Sequence, residues 1–203
     1  LSTGDHKAVN KMHQMSFFIY NLVIFPIIAG MLIVNDDFVQ FFLGQDFQDA
    51  KYAIAIMIFR MFFIGWTNIM GIQILIPHNK NKEFMISTTI PAIVSVGLNL
   101  LLLPKLGYIG AAIVSVLTEA LVWAIQLYFT RNYLKEVPIV KTMIRIIGAS
   151  ASMYILLLLL KQFIHFSPAL NVIACAVLGV VLYIGAILFF KAIDVKELKQ
   201  VFK

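Results

Sequence analysis

Six stretches of the chain, at about 16–34, 52–76, 84–103, 109–129, 142–160 and 170–190, run close to twenty residues each with scarcely a charge. Crossing about 30 Å of hydrocarbon takes roughly 20 residues of helix. Inside that hydrocarbon every backbone polar group must be satisfied internally, which leaves helices or a closed barrel. No strand-like alternation competes with the helical pattern, so the chain reads as an all-α integral membrane protein with six transmembrane helices. Composition agrees. The chain is 61% hydrophobic and 13% charged, with mean hydropathy +0.92, where a soluble domain is about 45–50% apolar and about 25% charged.

The net charge of +6 and the pI near 9.4 would suggest nucleic acid in a soluble protein. In a membrane chain basic residues report topology instead, and no nucleic-acid partner is expected. Lys7 and Lys11 precede the first span, Lys80 and Lys82 follow the second, and Arg131, Lys135, Lys141 and Arg145 surround the connection after the fourth. Lys191, Lys196, Lys199 and Lys203 close the chain, while the other side holds only Lys51, Lys105 and Lys161. The positive-inside rule therefore places both termini in the cytoplasm of a multi-pass protein of a bacterial cell membrane. Residues 1–15 read as a cytoplasmic segment and 16–203 as a six-helix lobe. The opening lacks the apolar core of a signal peptide, and the chain reads as a fragment of something longer. One cysteine, Cys175, excludes an internal disulfide framework.

The connection 35–50, NDDFVQFFLGQDFQDA, carries Phe38, Phe41, Phe42 and Phe47 at near-helical spacing. With Asp36, Asp37, Asp46 and Asp49 facing water, it reads as an amphipathic segment lying in the outer interface.

Arg60 stands alone in the apolar run IMIFRMFFIG. On an ideal helix Thr67 and Gly71 fall within about 20° of it and Asn68 about 80° away, with Ile, Phe, Met and Trp opposite. Arginine at the bilayer centre costs about 2.5–3.5 kcal/mol on insertion scales, which a dozen apolar neighbours offset at about 0.3–0.6 each. The span inserts, provided that something polar receives the guanidinium. The fourth span offers Glu119 on a face with Ala112, Ser115 and Gln126. At 1.5 Å per residue, Arg60 and Glu119 lie roughly 12 and 15 Å deep, close enough to pair or to line one wet cavity. The third span repeats the pattern with Thr88, Ala92, Ser95 and Asn99, beside Pro91. Pro26 interrupts the first span near Asn21 and Gly30, a break tolerated where a neighbour satisfies the freed backbone. The last two spans carry Ser150, Ser152, Asn171, Cys175 and Gly179 and read as peripheral packing helices, while His78 and His165 read as solvated loop residues.

Plainer readings of the same residues stand beside these: Arg60 snorkelling outward, Glu119 as a protonated helix-to-helix bond, the small-residue stripes as packing. Catalysis finds little footing, because no HExxH, GxSxG, paired CxxC or phosphate-binding glycine loop occurs. No catalytic residue, metal ligand or cofactor is assigned.

In order along the chain, FPIIAGM (25–31), FFLGQDFQDA (41–50) and QILIPHNKNKEFMISTTIPAIVSVGLNLLLLPKLGYIGAAIVSVLTEALV (73–122) resemble the bacterial polysaccharide flippases of O-antigen and capsule repeat units. These are members of the multidrug/oligosaccharidyl-lipid/polysaccharide exporter superfamily. The resemblance implies the C-terminal lobe of a MATE-like two-lobe transporter, with the N-terminal lobe absent. It implies flipping of a polyprenyl-diphosphate-linked oligosaccharide across the cytoplasmic membrane by alternating access, for cell-surface (exo)polysaccharide biosynthesis. Arg60, Thr67, Asn68, Ser95, Asn99, Ser115 and Gln126 would then line the cavity, and Glu119 would couple an ion or act as a structural pair. Membrane lipid, H⁺ or Na⁺ and the polysaccharide polymerase machinery are the further partners to consider. The alternatives are a cation-coupled multidrug exporter of the same superfamily, and an intramembrane enzyme acting on lipid-linked sugars through the aspartates of 36–49.

Overall fold

The computed structural model describes residues 6–135, 137, 139–163 and 166–190. The tail lysines from Lys191 onward and His165 lie outside the described residues. Among those described the chain is helical with no strand, and five helices are long and apolar enough to cross a membrane by length and composition. The protein is an all-α integral membrane protein.

Helix α1 (His6–Phe42) is followed by a 3₁₀ turn, Gln45–Phe47. Next come α2 (Ala50–Met57), α3 (Arg60–Asn68) and a π-helical segment, Ile69–Leu75. Then follow α4 (Asn81–Leu134), α5 (Ile139–Lys161) and α6 (Pro168–Phe189). Helix α4, at 54 residues, is about twice the length one crossing needs. It holds both the third and fourth expected spans, because Gly107 breaks it with φ 55° and ψ −136°, a conformation closed to residues with a Cβ. Gln126 donates to Ser87 Oγ at 3.2 Å, and a Cβ on Gly110 would stand 2.7 Å from Leu102 O. Those pairings straddle Gly107 evenly, so the two arms of α4 run antiparallel.

Two compact units form. Among the described residues the first comprises those within 6–20 and 49–137, the second those within 21–48 and 139–190. In the first, α2 and α3 run parallel to the second arm of α4. Tyr108 Oη donates to Asp49 O at 3.2 Å and Arg60 donates to Glu119 at 2.9 Å, two links with the same sequence separation of 59. Tyr20 lies across α3 at Gly65, its hydroxyl donating to Met61 O, where a Cβ would overlap the ring.

In the second unit, α5 buries Ile146, Ala149, Met153 and Leu157, and α6 buries Cys175, Gly179, Tyr183 and Ile187. The four-residue spacing makes ridges that interlock, with Leu157 Cδ1 3.2 Å from the position of a Cβ on Gly179. Pro26 has no N–H, which frees the carbonyl four residues back. Tyr183 Oη donates to that carbonyl, Leu22 O, at 2.7 Å. The neighbouring helix thus satisfies the break in α1.

The connection 35–50 differs from its expected form. Helix α1 runs on to Phe42, so Phe38, Phe41 and Phe42 belong to its last turns, and the helix ends just before Gly44, whose φ is 87°. Asp37 does not face water. Its carboxylate is 2.8 Å from Lys161 Nζ and accepts from Asn171 Nδ2 at 2.9 Å. A carboxylate near the end of an apolar helix is far cheaper paired than bare, and α5 and α6 supply its partners. Residues 6–15 are likewise helical, the first part of α1.

Candidate functional site

The site is built around Arg60, where the helix changes pitch. Phe59 N–H bonds Ile56 O at 3.3 Å and Met61 N–H bonds Ile58 O at 3.2 Å, a tight turn between α2 and α3. Arg60 follows directly and reaches Glu119 Oε1 with a guanidinium nitrogen at 2.9 Å. The Arg60 side chain is 38% exposed and that of Glu119 is 19% exposed. Arg60 and Glu119, expected either to pair or to line one wet cavity, form an ion pair within one unit.

One turn further along, the pair is bordered by aromatic rings. Trp123 lies 5.8 Å from Phe63 and 6.2 Å from Trp66, which in turn packs 4.7 Å from Phe17.

The other expected cavity residues are spread along the first unit. Thr67 is buried and donates to Ile64 O at 2.9 Å within its own helix. Asn68 is exposed and Ser115 half-buried. Asn99 donates to Ser95 O at 2.9 Å in the first arm of α4. Gln126 is buried and binds Ser87 of the facing arm.

Along the expected polar stripe Arg60 meets Glu119, and a Cβ on Gly71 would meet Phe84 and Gln126. Thr67 is buried, as is its neighbour Trp66. The helix departs from regular pitch in the tight turn before Arg60 and in the π-helical segment 69–75.

A second polar group, which sequence reading missed, sits at the end of the first unit. Pro77 leaves the carbonyl of Gln73 without its N–H partner, and His13 Nε2 lies 3.4 Å from that oxygen. Ser16 Oγ donates to Gln73 Oε1 at 2.8 Å. His78, expected to be solvated, is half-buried with its ring 4.3 Å from Tyr133 and Nδ1 2.7 Å from Ile74 O. Nearby, Lys80 Nζ donates to Glu83 at 2.8 Å, and this bond holds the Lys80 ammonium above the ordinary lysine pKa. The only advance signal for His13 was that Pro77 must free a carbonyl, and that signal does not name the donor.

In the second unit Lys161 Nζ, besides meeting Asp37, donates to Ile33 O at 2.6 Å. Asn171 Oδ1 accepts from Phe166 N–H at 3.1 Å. Asp37 is therefore held in a structural network. Among the described residues no three His, Cys, Asp or Glu side chains gather as a metal site would require.

Comparison with known proteins gives partial matches to an uncharacterized membrane protein and to a protein named as a transporter. The chain is 28% identical over 189 residues to an uncharacterized membrane protein of Methanocaldococcus jannaschii, covering 91% of this chain and 36% of that one. It is 33% identical over 94 residues to an Escherichia coli protein named "Putative O-antigen transporter", covering 46% of this chain and 23% of that one. The chain thus spans about a third or less of the length of these curated relatives. No family model and no solved structure matches. This chain is a multi-helix membrane protein with a partial likeness to a transporter.

Proposed function

We propose that the chain is one lobe of a transporter that moves a polyprenyl-diphosphate-linked oligosaccharide across the cytoplasmic membrane by alternating access. The observation that carries this reading is the Arg60–Glu119 pair, 2.9 Å apart within helices apolar enough to span. Ionisable groups at such a depth are costly and mark substrate or ion paths by default. The likeness to the Escherichia coli protein supports an O-antigen-type cargo, and a lipid-linked sugar crosses with an anionic diphosphate that needs a cation.

Arg60 serves as that cation and Glu119 as its resting counterion. A diphosphate carries more charge than one carboxylate and offers several oxygens to the guanidinium fork. A coupling cation, H⁺ or Na⁺, drawn to Glu119 would release Arg60 to the incoming head group, and its departure would let the pair re-form.

The test is export of surface polysaccharide by the full-length protein at matched expression. Arg60→Ala should lower polymer at least tenfold, and Arg60→Lys should recover part of it, since lysine keeps the charge but loses the fork. Undiminished polymer in Arg60→Ala would remove the role. For Glu119→Gln the expected result is weakened export whose pH dependence is flattened.

A further inference from the structure

At the basic end of the first unit a cleft of about 260 Å³ opens between the turn before α4 and the last turns of that helix. Its polar lining is Lys80, Glu83, Arg131, Asn132 and the two tyrosines Tyr128 and Tyr133, with Leu75 and Phe129 as apolar surface. We infer that this cleft is a binding site for the phosphate of an anionic membrane lipid, separate from the Arg60–Glu119 pair and independent of the transport reading above.

The charge inventory favours an anion. Lys80 and Arg131 contribute two cations against Glu83, and Asn132 adds amide donors. Lys82 and Lys135, both exposed, lie close in sequence and extend the positive field. Arginine prefers phosphate because its planar fork gives two parallel bonds. Here the guanidinium carbon stands 4.5 Å from the centre of the Tyr128 ring, a cation–π contact that holds it in place before any ligand arrives. Tyr133 forms another wall and is braced by the His78 ring at 4.3 Å.

Position separates a lipid from a soluble anion. Lys80 and Arg131 stand where the apolar stretches of two adjacent antiparallel arms end, the level at which lipid phosphates lie and tyrosines collect. Basic pockets between spanning helices at that level take phosphate head groups, and Leu75 and Phe129 offer the apolar surface along which an acyl chain would leave. Glu83 is the built-in competitor. It occupies Lys80 at 2.8 Å, and a bound phosphate has to take that ammonium over.

The experiment uses the full-length protein in neutral detergent, titrated with phosphatidylglycerol, with phosphatidylcholine and with inorganic phosphate, bound ligand being counted by native mass spectrometry. One phosphatidylglycerol should bind at least tenfold more tightly than phosphatidylcholine. Arg131→Ala and Lys80→Ala should each weaken it several-fold, while Glu83→Gln should tighten it. Opposite signs in variants of one cleft cannot arise from misfolding, so Glu83→Gln keeps the test sound if an alanine variant folds poorly. Phosphatidylglycerol retention unchanged in all three variants overturns the site. Inorganic phosphate binding as tightly as the lipid overturns the lipid assignment and makes a soluble anion the ligand.

Discussion

Arg60 is tolerable in its apolar helix because Glu119 stands one bond away, and the converse holds for Glu119. Removing one partner of a buried pair costs about 3–5 kcal/mol, since the other charge is then left bare. Arg60 keeps 38% of its side-chain surface accessible, which lowers the expected cost of Glu119→Gln to about 1–3 kcal/mol. Unfolding by dodecyl sulfate titration in micelles measures this, and the swap of Arg60→Glu with Glu119→Arg should recover part of the loss. Equal stability of Glu119→Gln and the parent would mean the pair contributes nothing. Tyr183→Phe makes a cleaner case, because it deletes one hydroxyl and leaves Leu22 O, already deprived by Pro26, without a donor. A loss of about 0.6–1.7 kcal/mol is expected on the scale of hydrogen bonds measured inside membranes.

At the level of elements, two glycines decide whether helices can lie as they do. Gly107 reverses α4 at φ 55°, and Gly107→Val should cost about 1–3 kcal/mol and splay the two arms. Disulfide trapping between cysteines placed at Ser87 and Gln126 reports this directly, falling sharply in the variant if Gly107 makes the turn. Gly65→Ala should also destabilise, because the Tyr20 ring occupies the space of the added methyl; restoring stability with Tyr20→Ala in the same chain would identify the clash as the cause. The sequence made much of this scale legible. Five of the six expected apolar stretches contain no charge but Arg60 or Glu119 in their middle turns, and the helices follow them closely from 139 onward. What stayed hidden was pitch. The tight turn before Arg60 and the π-helical segment at 69–75 leave no composition signal. The Arg60–Glu119 pair was one of two arrangements that the sequence left open, because rise along a helix accumulates little error over ten residues. Asp37 with Lys161 was not readable: the two are 124 residues apart, and nothing local in either marks its partner.

For the whole molecule, the expected topology rests on the asymmetry of Lys and Arg along the sequence. Three cations were assigned to the outer side, Lys51, Lys105 and Lys161, and Lys161 is neutralised by Asp37 at 2.8 Å. Arg60 is paired with Glu119. Lys11, Lys82, Arg131 and Lys135 of the first unit are exposed among the described residues. Because the membrane-insertion machinery retains Lys and Arg on the inside, Lys82 should be cytoplasmic and Asp46, across the 50–75 span, external. Cys175 is the chain's one cysteine and is buried, so Cys175→Ser provides a clean background. In that background Asp46→Cys should react with a membrane-impermeant maleimide in intact cells, and Lys82→Cys only after the membrane is opened. The reverse pattern would invert the orientation. Equal labelling of both positions in intact cells would mean that 50–75 does not cross, and the bilayer-depth argument for Arg60 and Glu119 would fall with it.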